Sequence, residues 1–376
     1  MARSKGEGTI YQRPDGYWVA QVTINGRRKS KVSKKKSVVQ AWRKEMTAKL
    51  QQGYQGASET LGEYLERWLP SKKNSLKHNT YANYELNIRK YILPELGNVR
   101  LEDLTADLVQ YVWDSYIQDG VGAHTVIKVH NILHAALNRA VKTGQIWRNV
   151  TDAVEKPVAE DVEMKFLTEA EALHFLSTAR DSRLYALFYL AVVTGARQME
   201  LCGLQWSDID WGRRTLSIRR QLARKGKTFT SLKTRQSNRT LSLGDATMEV
   251  LQEHLERQAQ ERMLAGEKWK EHNLIFTSTT GTPLQHKNLY NRYFKPLVKK
   301  ASIPDIRFHD LRHTAAAIML TNGRPPIVVS RILGHARVSI TSDIYGHLIP
   351  GADAGAIEMM EELVTPGELV ALDLPR

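Results

Sequence analysis

Four short segments hold the side chains that could do chemistry together: Thr194-Gly195-Ala196-Arg197-Gln198-Met199-Glu200, His309-Asp310-Leu311-Arg312-His313, Leu333-Gly334-His335 and Ile344-Tyr345-Gly346-His347. Gly195 breaks an apolar helix and sets Arg197 at the start of the next one, where free backbone amides favour anions. Taken alone, an ion pair from Arg197 to Glu200 is the plainer reading. His309 and Arg312 are three residues apart and share a helical face, while Leu311, Ala315, Ile318 and Met319 face the core. Gly334 closes another helix before His335, and Tyr345 follows ten residues later. One tyrosine among 14 is ordinarily core, and a single histidine is ordinarily just hydrogen-bonded. Together, however, Arg197, His309, Arg312 and His335 offer donors matched to the oxygens of one phosphate, with guanidinium forks able to bind it bidentately. No carboxylate cluster accompanies them, so charge stabilisation by protein cations is favoured over Mg²⁺.

The elements that must position these residues fall into several domains, as 376 residues allow. Residues 1–50 hold 13 Lys or Arg against three acids and read as three strands and a helix. Pro14-Asp15-Gly16 and Asn25-Gly26 mark the turns, and Val38, Val39, Trp42 and Met46 give the helix its apolar face. Arg27, Arg28, Lys29, Lys31, Lys34, Lys35 and Lys36 are too concentrated for solubility alone and mark a nucleic-acid arm. After a linker at 54–59, Thr60 and Glu63 form a capping box, and four amphipathic helices follow, the second ending before Pro94. These stripes make a bundle core. A second linker spans 149–165. Thr168 and Glu171 then cap a new helix, Tyr185–Val193 is apolar nearly all round, and strands are expected at Thr215–Arg220, Lys227–Lys233 and Arg239–Leu243. The stretch from Gly351 carries six acids and one Arg, with Ile357, Met360, Leu363 and Val364 on one helical face. The fold class is multidomain α+β.

An excess of 54 Lys and Arg over 40 Asp and Glu predicts a polyanionic partner. Cys202 is the only cysteine, which excludes an internal disulfide and a CxxC pair and favours a reducing compartment. The charged start and the longest apolar run, nine residues, argue against secretion and membrane spanning.

The strings TGARQMELCGLQWSDI, LKTRQSNRTLSL, HDLRHTAAAIML and LGHARVSITSDIYGHL, in this order, resemble the motifs of the tyrosine recombinases, the phage integrase family. The resemblance implies an arm-type DNA-binding domain over 1–53, a helical core-binding domain over 60–150, a catalytic domain over 165–350 and an acidic tail over 351–376. It also implies roles. Tyr345 attacks a DNA phosphodiester to give a 3′-phosphotyrosyl link and a free 5′-hydroxyl. Arg197 and Arg312 clamp the non-bridging oxygens, and His335 hydrogen-bonds the phosphate. His309 assists proton removal from Tyr345. Lys233, preferred to Lys225 and Lys227 of the same hairpin for its Lys-Thr context, protonates the leaving oxygen. Glu200 matches the acidic position of the first motif, with an orienting role for Arg197 and a catalytic role both open, while Arg239, His313 and His347 read as structural. The covalent ester conserves the bond energy, so no cofactor, ATP or metal is implied. Implied partners are double-stranded DNA at core-type and arm-type sites, a homotetramer on that DNA passing through a Holliday junction, and a host DNA-bending protein and a directionality factor as candidates. The implied setting is the bacterial cytoplasm.

Three other readings compete. A host chromosome-dimer-resolving recombinase of the same family generally lacks the basic amino-terminal domain. A metal-dependent hydrolase would use His309 and His313 as a zinc pair, but Arg312 between them repels a cation and a third ligand is wanting. A non-catalytic DNA-binding regulator leaves the Arg, Lys, His and Tyr motifs unexplained.

Overall fold

The computed structural model describes residues 8–346 apart from 25, 52, 57, 161–163, 224–227 and 232–236, and it divides into two compact units at residue 162. In the first unit, β1 (Thr9–Gln12), β2 (Trp18–Ile24) and β3 (Arg27–Ser33) form an antiparallel sheet in that order. Gly26, at φ +76°, supplies the left-handed geometry that a two-residue hairpin turn demands. Val22 and Ile24 of β2 bury against Trp42 and Met46 of α1 (Lys36–Gln51). Tyr54 completes this small core, so a residue expected in the linker is part of the module. The register sets Arg27, Lys29 and Lys31 beside Ile24, Val22 and Ala20, and Arg28 beside Thr23 on the opposite face.

The rest of this unit is helical. The expected capping box forms at Thr60 and Glu63 and starts α2 (Leu61–Ser71). α3 (His78–Asn87) continues through a π-helical turn, Ile88–Ile92, into α4 (Leu93–Leu96). The helix therefore runs past Pro94 instead of stopping before it. The wide turn bonds the Leu93 amide to the Ile88 carbonyl, and Pro94 falls in the first turn of α4, where its missing N–H costs little. α5 (Ala106–Gln118), capped by Thr105, and α6 (Ala123–Lys142) close the bundle around Trp68, Trp113 and Leu133. The Tyr64 and Tyr116 hydroxyls donate to the Ala136 and Tyr91 carbonyls at 2.8 and 2.7 Å, so the buried Tyr64 and half-buried Tyr116 phenols are satisfied.

The second unit opens with the Thr168–Glu171 capping box and α7 (Glu169–Thr178). α8 (Tyr185–Thr194) buries Leu187, Phe188, Leu190 and Ala191 at the centre of the larger core. Phe175, Phe188, Phe294 and Phe308 meet there, each buried ring contributing about 1.5–3 kcal/mol. α9 (Gln198–Leu201) leads to β4 (Ile209–Asp210), β5 (Thr215–Ile218), β6 (Arg220–Leu222), β7 (Phe229–Ser231) and β8 (Arg239–Ser242). β4, β5 and β8 form one antiparallel sheet, and β6 pairs with β7. The single strand expected over Thr215–Arg220 is thus divided at Arg219. Of the strand expected over Lys227–Lys233, only Thr228 to Ser231 are described. α10 (Asp245–Ala265), α11 (His286–Asn288), a π-helical Leu289–Phe294 and α12 (Lys295–Lys300) follow, and then α13 (Asp310–Thr321), α14 (Pro326–Leu333) and α15 (Ser339–Tyr345). The expected mixed architecture of a small sheet with a helix, a helical bundle and a mainly helical unit with small antiparallel sheets is the one observed. Among the described residues no helix is long and apolar enough to cross a membrane. Lys225, Lys227, Lys233, His347 and the acidic tail lie outside the described residues.

Candidate active site

Two glycines in left-handed conformation set the site. Gly195, φ +59°, ends α8, and a Cβ there would lie 2.4 Å from a methyl carbon of Leu333. Gly334, φ +68°, ends α14 in the same way. These close turns bring the ends of two helices to α13, whose Arg312 is 3% exposed. One nitrogen of Arg312, Nη1, donates to the carbonyls of Gly195 and Leu333, both at 2.8 Å. The other, Nη2, is buried with no hydrogen-bond partner among the described residues. Arg312 is therefore anchored by one nitrogen and offers the second to an incoming acceptor.

Arg197 donates through Nη1 to Glu200 at 2.7 Å and through Nη2 to the Gly334 carbonyl at 3.5 Å, with its side chain 36% exposed. The Arg197–Glu200 pair expected from the plainer reading is real, and it leaves the Arg197 side chain partly open to solvent while Glu200 is sealed. Burial alone would raise the Glu200 carboxyl, but Arg239 and Arg197 hold it below the usual carboxylate range. His335 shares a hydrogen bond with the Thr341 hydroxyl at 2.8 Å.

Burial, then the charges of Arg312 and Arg197, push His335 down to about 3. Burial, then His313, Arg312 and Arg197, push His309 down to about 4, although the residue is exposed at the surface. Arg197, Arg312, His309 and His335 thus lie within electrostatic reach of one another, and both imidazoles are neutral at pH 7. Arg312 itself is pushed down to about 9 by burial and by Arg197.

Tyr345, at the end of α15, is 2% exposed, and burial pushes its phenol up to about 12. Its hydroxyl and Nδ1 of His313 share a hydrogen bond of 2.5 Å, the donor being set by the imidazole tautomer. The phenol is therefore one ring away from His309, the residue implied as its partner; the His309 and His313 rings stand edge to face at 5.1 Å. His313, expected to be structural, is the group hydrogen-bonded to the Tyr345 hydroxyl. The signal was its place four residues after His309, one helical turn along the same face. Burial pushes the Cys202 thiol up to about 12, so it is no rival nucleophile. Among the described residues no three His, Cys, Asp or Glu are grouped to hold a metal ion.

The basic residues of the first unit are placed less uniformly. Arg27, Arg28, Lys31, Lys34, Lys35 and Lys36 are exposed, with Lys34 over the Tyr17 ring at 5.5 Å and Lys36 over Trp18 at 4.6 Å. Lys29 instead pairs with Glu102.

Depressed histidines fix the sign of an acid effect. The folded chain holds His309 and His335 neutral while the unfolded chain protonates them near 6.5, so their contribution is complete above that value and is lost as pH falls towards about 4 and 3. Thermal melts from pH 7.5 to 4.5 should show a falling midpoint, with a smaller fall in His309→Asn and His335→Asn. Equal falls in all three proteins would contradict the assignment.

Comparison with known proteins agrees with this geometry. The family model described as "Phage integrase family" matches residues 165–350, and that for the phage integrase N-terminal SAM-like domain matches residues 60–114. The chain is 32% identical over 326 residues to a "Tyrosine recombinase XerC-like" protein of Caldanaerobacter subterraneus, covering 81% of this chain and 83% of that one. Its fold is similar to the Tn1549 transposon integrase in complex with a circular intermediate DNA (TM-score 0.69, 22% identity, 81% of this chain and 100% of that one). It is also similar to a lambda integrase tetramer bound to a Holliday junction (TM-score 0.57, 22% identity, 92% and 96%). On these matches the chain belongs to the phage integrase family of tyrosine recombinases.

Proposed function

We propose that the protein is a site-specific DNA recombinase that integrates or excises a mobile element by cleaving and rejoining DNA through a 3′-phosphotyrosyl intermediate on Tyr345. The observation that carries this reading is a phenol within the electrostatic reach of Arg312, whose second guanidinium nitrogen is buried and uncommitted. A scissile phosphate brings the acceptor that Arg312 lacks, and Arg197 meets it from the exposed side. In the transition state an extra negative charge spreads over the phosphate oxygens, and two fixed guanidinium groups stabilise it without reorganisation. His309 and His335, being neutral, donate hydrogen bonds there without adding to the repulsion between the arginines.

A phenol near 12 is a poor nucleophile at neutral pH until its proton has a destination and its oxyanion a countercharge. The imidazole of His313 is hydrogen-bonded to that phenol in the resting state, with His309 adjacent. Attack of Oη on phosphorus forms the tyrosyl ester and expels the 5′ oxygen, which takes its proton from Lys233 in the assignment that the family resemblance supports. Religation reverses each step onto a different 5′ end. The ester keeps the bond energy, so the assigned roles are filled without ATP or a metal ion.

Strand exchange joins two duplexes, and we assign the working form as a homotetramer on core-type sites in the bacterial cytoplasm, with a host DNA-bending protein and a directionality factor as candidate partners. We assign the β1–β3 module with α1 to arm-type sites, using Arg27, Arg28, Lys31, Lys34, Lys35 and Lys36, and Lys29 once released from Glu102. This extra basic module is what favours an integrase over a chromosome-dimer resolvase.

Two experiments test the reading. A nicked core-site oligonucleotide incubated without Mg²⁺ should yield a denaturation-resistant protein–DNA adduct with the wild type and none with Tyr345→Phe; an equal adduct from the variant removes Tyr345 from its role. Deletion of residues 1–53 should abolish binding to arm-site DNA while core-site cleavage persists, and arm binding that survives the deletion refutes the assignment of that module.

A further inference from the structure

Glu200 carries one negative charge and has two guanidinium partners. Its Oε1 accepts from Arg197 Nη1 at 2.7 Å, while its Oε2 accepts from Arg239 Nη2 at 2.9 Å and from the Arg197 backbone amide at 3.0 Å. The Arg239 and Glu200 side chains are 5% and 1% exposed, so this contact is sealed from water. Arg239 is held firmly. Its backbone pairs with Ile218 across β5 and β8, and its Nη1 donates to the Ser237 carbonyl at 3.1 Å. Its guanidinium also lies against the turn that carries His335, since a Cβ on Gly334 would stand 2.9 Å from Arg239 Nη1 and 3.2 Å from its Cδ.

A buried carboxylate must be balanced. If Arg197 were the only counter-ion of Glu200, the pair would be neutral, and the positive charge of Arg197 would be largely cancelled where a phosphate arrives. With Arg239 present the three groups sum to one positive charge, and that charge sits on the member open to the site. We infer that Arg239 is a positioning residue for strand cleavage, neutralising Glu200 so that the charge of Arg197 stays available to the scissile phosphate. The inference rests on the proposed assignment of Arg197 to that phosphate. Arg239 acts through Glu200 and itself touches no substrate.

The test is a double-mutant cycle on single-turnover cleavage of nicked core-site DNA by the full chain, comparing wild type, Arg239→Met, Glu200→Gln and the double variant. Arg239→Met should slow cleavage on the order of 100-fold, the scale of losing one transition-state donor. Adding Glu200→Gln removes the unbalanced carboxylate and should recover at least about tenfold of that loss, an interaction opposite in sign to simple damage. A double variant no faster than Arg239→Met overturns the inference. A second readout uses the same DNA with a methylphosphonate at the scissile position, which carries no charge and needs less cation. There the Arg239→Met deficit should shrink to within about tenfold, because the lost contribution is electrostatic. The ratio of rates on the two substrates is independent of how much variant is folded, and an equal deficit on both overturns the inference. Arg197→Met on the charged substrate separates the two levels. Wild-type cleavage by that variant defeats the assignment of Arg197, whereas slow cleavage combined with a purely additive cycle defeats only the role of Arg239.

Discussion

Positive charge gathered around a point that only an anion can balance is the constraint on which this structure depends. Arg312 is buried, close to Arg197, and pushed down to about 9, an unfavourable situation for a guanidinium. Two backbone carbonyls make it tolerable. They come from Gly195 and Leu333 at the carboxyl ends of α8 and α14, where the aligned peptide dipoles present partial negative charge. The fold thus anchors the cation with groups that carry no net charge, and the remaining positive potential is left for a ligand.

The rest of the site follows from that arrangement. The same positive field, added to burial, keeps His309 and His335 neutral, so they serve as hydrogen-bond partners and not as further cations. The phenol of Tyr345 is buried against His313 and held protonated at neutral pH. Glu200, the carboxylate bonded to these cations, is shared between Arg197 and Arg239. The glycines at 195 and 334 matter because a side chain at the first would collide with Leu333 at the end of α14, and one at the second would crowd the Arg239 side chain.

Much of this was legible in the sequence. Capping boxes at Thr60 and Thr168 and the Asn-Gly hairpin are local chemistry, decided by residues within one turn of each other, and the structure has them where expected. Gly195 and Gly334 were readable as helix ends for the same reason. What could not be read depends on long-range packing. The contact between His313 and Tyr345 spans 32 residues and arises from how α15 folds back onto α13. Arg239 looked like an ordinary strand residue, because nothing in its neighbourhood along the chain shows that Glu200 and Gly334 converge on it. The continuation of a helix through Pro94 needed a π turn that no composition signals, and Tyr54 looked like linker until the apolar pair Val22 and Ile24 lay beneath it.

The central claim is that one particular oxygen becomes bonded to DNA phosphorus. Its most direct measurement is tandem mass spectrometry of the covalent adduct formed by the unmodified full chain on nicked core-site DNA, after exhaustive nuclease and protease digestion. The account predicts a nucleotide phosphate mass localised to Tyr345, attached through the 3′ end. A nucleotide on any other residue, or attachment through a 5′ phosphate, would contradict it.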